Sequence, residues 1–234
     1  MAPVHVARWL RLLPDIAFDL CLDHGRCVGI HLPDGELAAG QTLPPEEQAF
    51  AASLTVVRRR TWVGGRVALR HALERAGLDA PPVLVDARGA PAFPQGIVGS
   101  ISHKETLAVA LVACEATDRS ARVGVDVELD APGAFDIASK VLTDAEFDEV
   151  AELERPSRAR EVLLRFSAKE AIYKALDPFV RRYVAFKEIA VRPLANGSAD
   201  VRWHLPTRDG TFEADVRWLR WGRFVLTTAR VARI

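Results

Sequence analysis

Hydrophobic positions change their period several times along this chain, and each change marks an element. "PPEEQAF" at 44–50 sets two prolines ahead of an acidic first turn, and helical spacing resumes through "RVALRHALERAGL" to Gly77. Acidic residues at the start and glycine at the stop suit the partial charges and left-handed termination of a helix. The pattern predicts helix over 44–80. "DARGAPAFPQGIVGS" follows as a loop rich in Pro and Gly, and "SISHKETLAVALVAC" then has the alternating, β-branched character of strands around a turn. "RVGVDVELD" reads as another short strand, with Pro132 and Gly133 just beyond it.

The second half repeats the alternation. "TDAEFDEVAEL" places Thr143 three residues before Glu146, a capping-box signature ahead of a helix. A longer helix is expected over 158–176, stopped before Pro178. "FKEIAVRPL", "DVRWHLP", "TFEADVRWLR" and "RFVLTTARV" then read as four strands of an antiparallel meander. There is no low-complexity linker, heptad or short repeat. The pattern predicts an α+β fold in two similar halves, 1–115 and 116–234, each a mostly antiparallel sheet with packed helices.

Composition narrows the function classes. The 234 residues are 49% hydrophobic and 26% charged, with a formal net charge of +0. That balance gives no bulk electrostatic reason to expect nucleic acid or an anionic membrane as partner. Cys21, Cys27 and Cys114 are odd in number and lack CxxC spacing, which suits a reducing cytosol better than a disulfide framework or zinc site. "MAPVHVARWLRLLPD" does not read as a signal peptide, and "LAVALVA" at 107–113 is strand length. A soluble, cytoplasmic protein is expected.

The chemistry-bearing residues concentrate in two places. In "GVDVE", Asp126 and Glu128 are two apart on a strand and share a face. Like charges so placed repel, which sheet stability does not ask for, and a divalent cation would remove the conflict. The bland alternative is an ordinary acidic edge strand. "FSAKEAIYKAL" at 166–176 offers Glu170 as a third carboxylate, with Lys169 and Lys174 as ammonium groups for phosphates. Read alone, Glu170 and Lys174 form an i, i+4 surface pair contributing about 0.3–0.5 kcal/mol. Ile172 and Leu176 are expected on the buried side. Upstream, "RRRTWVGGR" holds Arg58, Arg59, Arg60 and Arg66, guanidinium forks suited to phosphate, although Gly64 and Gly65 weaken a helical reading. A solvated basic helix face is the alternative there. "SISH" adds Ser102 and His103 at a strand end.

"GSISH", "GVDVE" and "FSAKEAIYKAL", in this order and spacing, resemble the 4′-phosphopantetheinyl transferases of the long, single-chain type. The likeness runs over roughly 44–190 and includes the Gly-Arg pair at 65–66. It implies a pseudo-twofold fold with the active site in a cleft between the halves. It also implies transfer of the phosphopantetheine arm of coenzyme A to a serine of an apo carrier protein, for siderophore, nonribosomal-peptide or polyketide biosynthesis. By the same resemblance Asp126, Glu128 and Glu170 match a magnesium site. Arg58, Arg66, Ser102, His103 and, more loosely, Arg88 lie around the nucleotide, and Lys169 and Lys174 lie by the pyrophosphate. Glu170, directly or through a metal-bound water, is then the general base and Lys174 stabilises the departing bisphosphate. Ala90 and Phe93 depart from the family pattern, which has a basic residue and tryptophan there in many members. A monomer is expected, because a two-half chain carries both motif sets. A magnesium-dependent phosphatase or nuclease, and a catalytically silent carrier-binding module, remain the alternatives.

Overall fold

The computed structural model describes residues 15–34, 43–113, 120–130 and 137–234. Cys114, Pro132, Gly133 and the N-terminal stretch read above lie outside them. The chain divides into two compact units, 1–115 and 116–234.

In the first unit, strands β1 (Ile16–Leu22) and β2 (Gly25–His31) form a hairpin. Gly25 has φ +136, and a Cβ there would stand 2.1 Å from the Val112 carbonyl oxygen, so only glycine serves this turn. Helices α1 (Pro45–Ala52) and α2 (Val56–Arg75) follow, then strands β3 (Gly99–Lys104) and β4 (Leu107–Val112). The sheet order is β1-β2-β4-β3, all pairs antiparallel. The single helix expected over 44–80 is two, separated at Ser53–Thr55, where Arg59 Nε donates to the Ala51 carbonyl at 2.9 Å. The stop at Gly77 holds: its φ is +69, and Leu78 N–H donates back to Leu73 O at 2.9 Å.

Gly64 and Gly65 do not interrupt α2. A Cβ at Gly64 would meet Leu32 Cδ2 at 2.2 Å and one at Gly65 would meet Ile101 Cγ2 at 2.7 Å. The pair is where the helix presses on the sheet, and that packing offsets the poor helix propensity. Beneath it lies an apolar core that includes Val28, Ile30, Leu69, Leu73, Ala108 and Ala110.

The second unit begins with β5 (Ala121–Leu129), followed by the single turn α3 (Ala138–Val141), then α4 (Asp144–Ala151) and α5 (Arg155–Val180). Both capping-box bonds are present: Glu146 N–H donates to Thr143 Oγ1 at 3.3 Å and Thr143 N–H to Glu146 Oε2 at 2.7 Å. Helix α5 runs through Pro178 rather than stopping before it. So near the end the missing N–H removes one bond of the last turn, and Arg181 closes the helix in the left-handed region at φ 49.

Strands β6 (Ile189–Pro193), β7 (Ala199–Trp203), β8 (Phe212–Trp221) and β9 (Phe224–Arg233) complete the unit. All four expected strands exist, but not as one meander. β6 and β7 pair with each other, while β9 inserts between β5 and β8. No ladder joins the outer hairpin to the larger sheet among the described residues; an isolated bridge, Ser198 to Arg217, and the Trp218 indole N–H donating to Ser198 O at 3.0 Å link them. Residues Ala168, Ala171, Ile172, Ala175 and Leu176 of α5 join Val216, Ala229 and Val231 in the core, so Ile172 and Leu176 do form the buried side.

The two units share one strand order, β2-β4-β3 in the first and β5-β9-β8 in the second, each with the last strand of the unit between the other two; the second unit adds the α3 turn and the β6–β7 hairpin. Residue contacts repeat as well. Arg59 ties the end of α1 to the start of α2 through the carbonyls of Ala51, Ala52 and Leu54. Arg158 does the same between α4 and α5 through those of Val150, Ala151 and Leu153. Each unit also buries a glutamate that accepts a backbone N–H from a residue distant in sequence, Val83 to Glu47 and Val191 to Glu146, both at 2.7 Å.

Candidate active site

Gly124 sets the geometry. It lies two residues before Asp126 on the helix-facing side of β5, and a Cβ there would fall 1.9 Å from the Ala171 carbonyl oxygen of α5. Strand and helix backbones are therefore in contact at this point. Asp126 and Glu128, on the same face, are brought up to the helix as a consequence. Both carboxylates are buried, at 3% and 8% exposure.

Glu170 and Lys174, one helical turn apart on α5, face them. Lys174 Nζ donates to Asp126 Oδ1 at 2.8 Å and to the Val125 carbonyl at 2.9 Å. Glu170 is half-buried, and its carboxyl is pushed above the usual range, first by burial and further by the charges of Asp126 and Glu128, with Lys174 opposing. The surface i, i+4 pair is thus excluded: the ammonium turns to the strand, and the four residues share one electrostatic neighbourhood.

Lys169 does not join them. Successive helix residues point about 100° apart, and Lys169 is fully buried on another side of α5. Its ammonium donates to Glu146 Oε2 at 2.6 Å, to Val141 O at 2.7 Å and to Phe186 O at 3.1 Å. Burial pulls its pKa below the usual lysine range, against the pairing with Glu146. The expectation that it stands beside Lys174 at a pyrophosphate is corrected on this ground.

The first-unit candidates are dispersed in role. Arg58 is exposed in the first turn of α2. Arg66 is buried, with Nε donating to Val83 O at 2.6 Å and a terminal nitrogen to Leu84 O at 3.1 Å, and its guanidinium lies 4.5 Å over the Trp62 ring. Burial lowers its pKa to about 10. Arg66 fastens the 83–84 segment to α2 and does not share a solvent face with Arg58. Arg88 is exposed in a turn held by Asp86, whose Oδ1 accepts the backbone N–H groups of Arg88 and Ala90 at 2.8 and 3.0 Å. Ser102 is buried and His103 exposed on β3, as strand alternation requires.

Among the described residues no three His, Cys, Asp or Glu side chains converge as a ready-made metal cage. The donor set nevertheless suits a hard cation. Magnesium takes one or two carboxylates and fills its remaining positions with water and substrate phosphate, and Asp126 and Glu128 are buried on one face in the field of Glu170. Zinc chemistry is not matched, since this group contains neither Cys nor His.

Gly124 and Glu146 are the site-forming residues that sequence reading passed over. A glycine inside the β-branched run "RVGVDVE" is itself a signal of close backbone approach. Glu146 carried only its capping-box signal.

Two family models cover most of the chain. The 4′-phosphopantetheinyl transferase N-terminal domain matches residues 46–113 and the 4′-phosphopantetheinyl transferase superfamily matches 122–229. The chain is 35% identical over 198 residues, 80% of its length and 78% of the other's, to the 4′-phosphopantetheinyl transferase Svp of Streptomyces mobaraensis. This chain belongs to the 4′-phosphopantetheinyl transferase superfamily. Enterobactin synthase component D of Salmonella typhi is 33% identical over 122 residues, 51% of this chain and 49% of that protein. A holo-ACP-synthase from Plasmodium yoelii superposes with a TM-score of 0.40 at 18% identity, covering 48% of this chain and 94% of that one.

Proposed function

We infer that this transferase moves the 4′-phosphopantetheine arm of coenzyme A onto a serine hydroxyl of an apo carrier protein, releasing adenosine 3′,5′-bisphosphate. The observation that carries the reading is the grouping of Asp126, Glu128, Glu170 and Lys174 at the β5–α5 contact of a superfamily member. Likeness to an enterobactin synthase component supports a carrier of siderophore, nonribosomal-peptide or polyketide assembly.

In this reading the serine oxygen attacks the β-phosphorus, and the bond from that phosphorus to the bridging pyrophosphate oxygen breaks. Glu170 accepts the serine proton; burial first, and then the charges of Asp126 and Glu128 against that of Lys174, make its carboxyl a stronger base than an exposed one. Lys174 supplies positive charge for the departing bisphosphate. Asp126 and Glu128, with Glu170, would hold Mg²⁺, which neutralises pyrophosphate oxygens when bound. On the nucleotide side, Arg58, Arg88, Ser102 and His103 are proposed to hold coenzyme A, with Arg66 shaping the 83–84 segment. The enzyme is proposed to act as a cytoplasmic monomer; among the described residues no helix is long and apolar enough to cross a membrane.

Incubation of a panel of apo carriers with coenzyme A and magnesium, followed by intact-mass measurement, tests this. The expected result is a gain of one phosphopantetheine on at least one carrier. Phosphate release from coenzyme A with every carrier unmodified would replace the reading with a phosphohydrolase.

A further inference from the structure

Lys169 is the largest fully buried side chain among the described residues, and it carries a charge. Its ammonium has three acceptors, and they come from three different pieces of the fold. Val141 O ends the α3 turn, Glu146 Oε2 belongs to α4, and Phe186 O opens the short 3₁₀ turn ahead of β6. Glu146 is itself held from two further directions, by Thr143 N–H at 2.7 Å on the shared oxygen and by Val191 N–H of β6 at 2.7 Å on the other. Arg165, one turn before Lys169, reaches the same carboxylate more distantly at 4.0 Å and pairs with Glu149 at 2.8 Å. A side chain with three charge-assisted bonds to separate elements cannot rotate or slide without breaking at least one of them.

We propose that Lys169 is a positioning residue of the transfer reaction: clamped to Glu146, Val141 and Phe186, it fixes the rotation of α5 so that Glu170, the next residue, is aimed at Asp126 and Glu128. The helix transmits the constraint directly. Backbone angles that seat Lys169 in its socket also set the direction of the adjacent side chain, and Lys174 follows one turn later on the Asp126 side. Packing alone constrains this rotation less. At the closest approach of α5 to β5, Gly124 of the strand lies against the backbone of Ala171 and Ala175 of the helix, small residues with few interlocking ridges. A loss of about 1 Å in placement costs a reaction of this kind on the order of a hundredfold.

This inference rests on the transferase reading, so wild-type transfer to an apo carrier is the first measurement. No transfer to any carrier would overturn that reading itself. With transfer established, Lys169→Met and the milder Glu146→Gln are compared for thermal midpoint, coenzyme A binding by calorimetry, and kcat and KM. The expected result is a kcat lowered about a hundredfold in Lys169→Met and about tenfold in Glu146→Gln, per folded molecule. Coenzyme A affinity should stay within about threefold of wild type in both. Lys169→Arg, which keeps the charge, should recover more of kcat than Lys169→Met. A raised KM and weakened coenzyme A binding with kcat unchanged would mean that Lys169 meets the substrate, and would overturn the proposal. So would a kcat per folded molecule equal to wild type, which would leave only a stabilising role. If Lys169→Met does not fold, Glu146→Gln decides by the same two criteria.

Discussion

Lys174 and Asp126 form an ion pair across the strand–helix contact, with Nζ 2.8 Å from Oδ1 and the aspartate 5% exposed at its side chain. The charge that chemistry would use is therefore already held at the strand by a carboxylate. Lys174→Met is expected to lower kcat by two to three orders of magnitude while weakening coenzyme A binding less, as steady-state kinetics and calorimetry would show. Asp126→Ala and Glu128→Ala should abolish magnesium-dependent transfer with the fold retained. Wild-type turnover in the Asp126/Glu128 double variant would remove these residues from the reaction.

Gly124→Ala tests the close approach. A Cβ 1.9 Å from the Ala171 carbonyl oxygen forces strand and helix apart. Overpacking of this kind costs about 1–3 kcal/mol, and separation of Glu170 from β5 should lower turnover as well. Thermal melts and kinetics on the one variant check both effects. Unchanged values for both would mean that the backbones have room.

Arginines 58 and 66 should separate by assay. Arg58→Ala is expected to weaken coenzyme A binding about tenfold with dephospho-coenzyme A unaffected, the signature of a lost 3′-phosphate contact. Arg66→Ala should instead lower the thermal midpoint, because it leaves the buried carbonyl of Val83 without its guanidinium donor and the carbonyl of Leu84 with Ala92 N–H alone. Identical behaviour of the two variants would contradict this division.

Acid stability carries a sign that can be worked out. Arg182 donates to Glu188 Oε2 at 2.6 Å and to Asp209 Oδ2 at 2.5 Å, and it holds both carboxyls below their usual range. Groups depressed in the folded state stabilise it above their unfolded pKa, and that contribution is lost as pH falls through the folded values. Wild-type melting temperature should therefore drop on acidification below about pH 4. In Arg182→Met the drop should be shallower, as a pH series of melts would record.

The thiols differ in reach. Burial pushes the Cys27 thiol up to about 12, whereas Cys21 is exposed. A maleimide at pH 8 should modify Cys21 and spare Cys27 until the protein is denatured, read by peptide mapping. Equal labelling of both in the folded protein would contradict the burial of Cys27.

Much of this was legible in the chain because it depends on local spacing. The carboxylate face of "GVDVE", the Thr143–Glu146 box and the Gly77 stop follow from period and capping chemistry that act within a few residues. The misread features all depend on partners distant in sequence. Gly64 and Gly65 look like helix breakers until Leu32 and Ile101 are found against them. The four C-terminal strands look like one meander until β7 is found without a ladder to β8, the two hairpins being joined by the isolated bridge Ser198 to Arg217. Lys169 resembles Lys174 in sequence. The difference between them is set by Glu146, Val141 and Phe186, which no local pattern connects to it.

A scaffold used twice leaves its two copies with unequal freedom to vary. Both units lock their helices with an arginine across the helix joint and a buried glutamate, so both carry the same demands on folding. Under α2, strand β2 offers Val28 and Ile30, and apolar side chains of similar volume can exchange there at little cost. Under α5, strand β5 offers Asp126 and Glu128, and no apolar exchange preserves their charge. A library randomised at both pairs should therefore return hydrophobic diversity in the first strand and near-uniformity in the second when selected for activity. Selected for folding alone, it should return diversity in both.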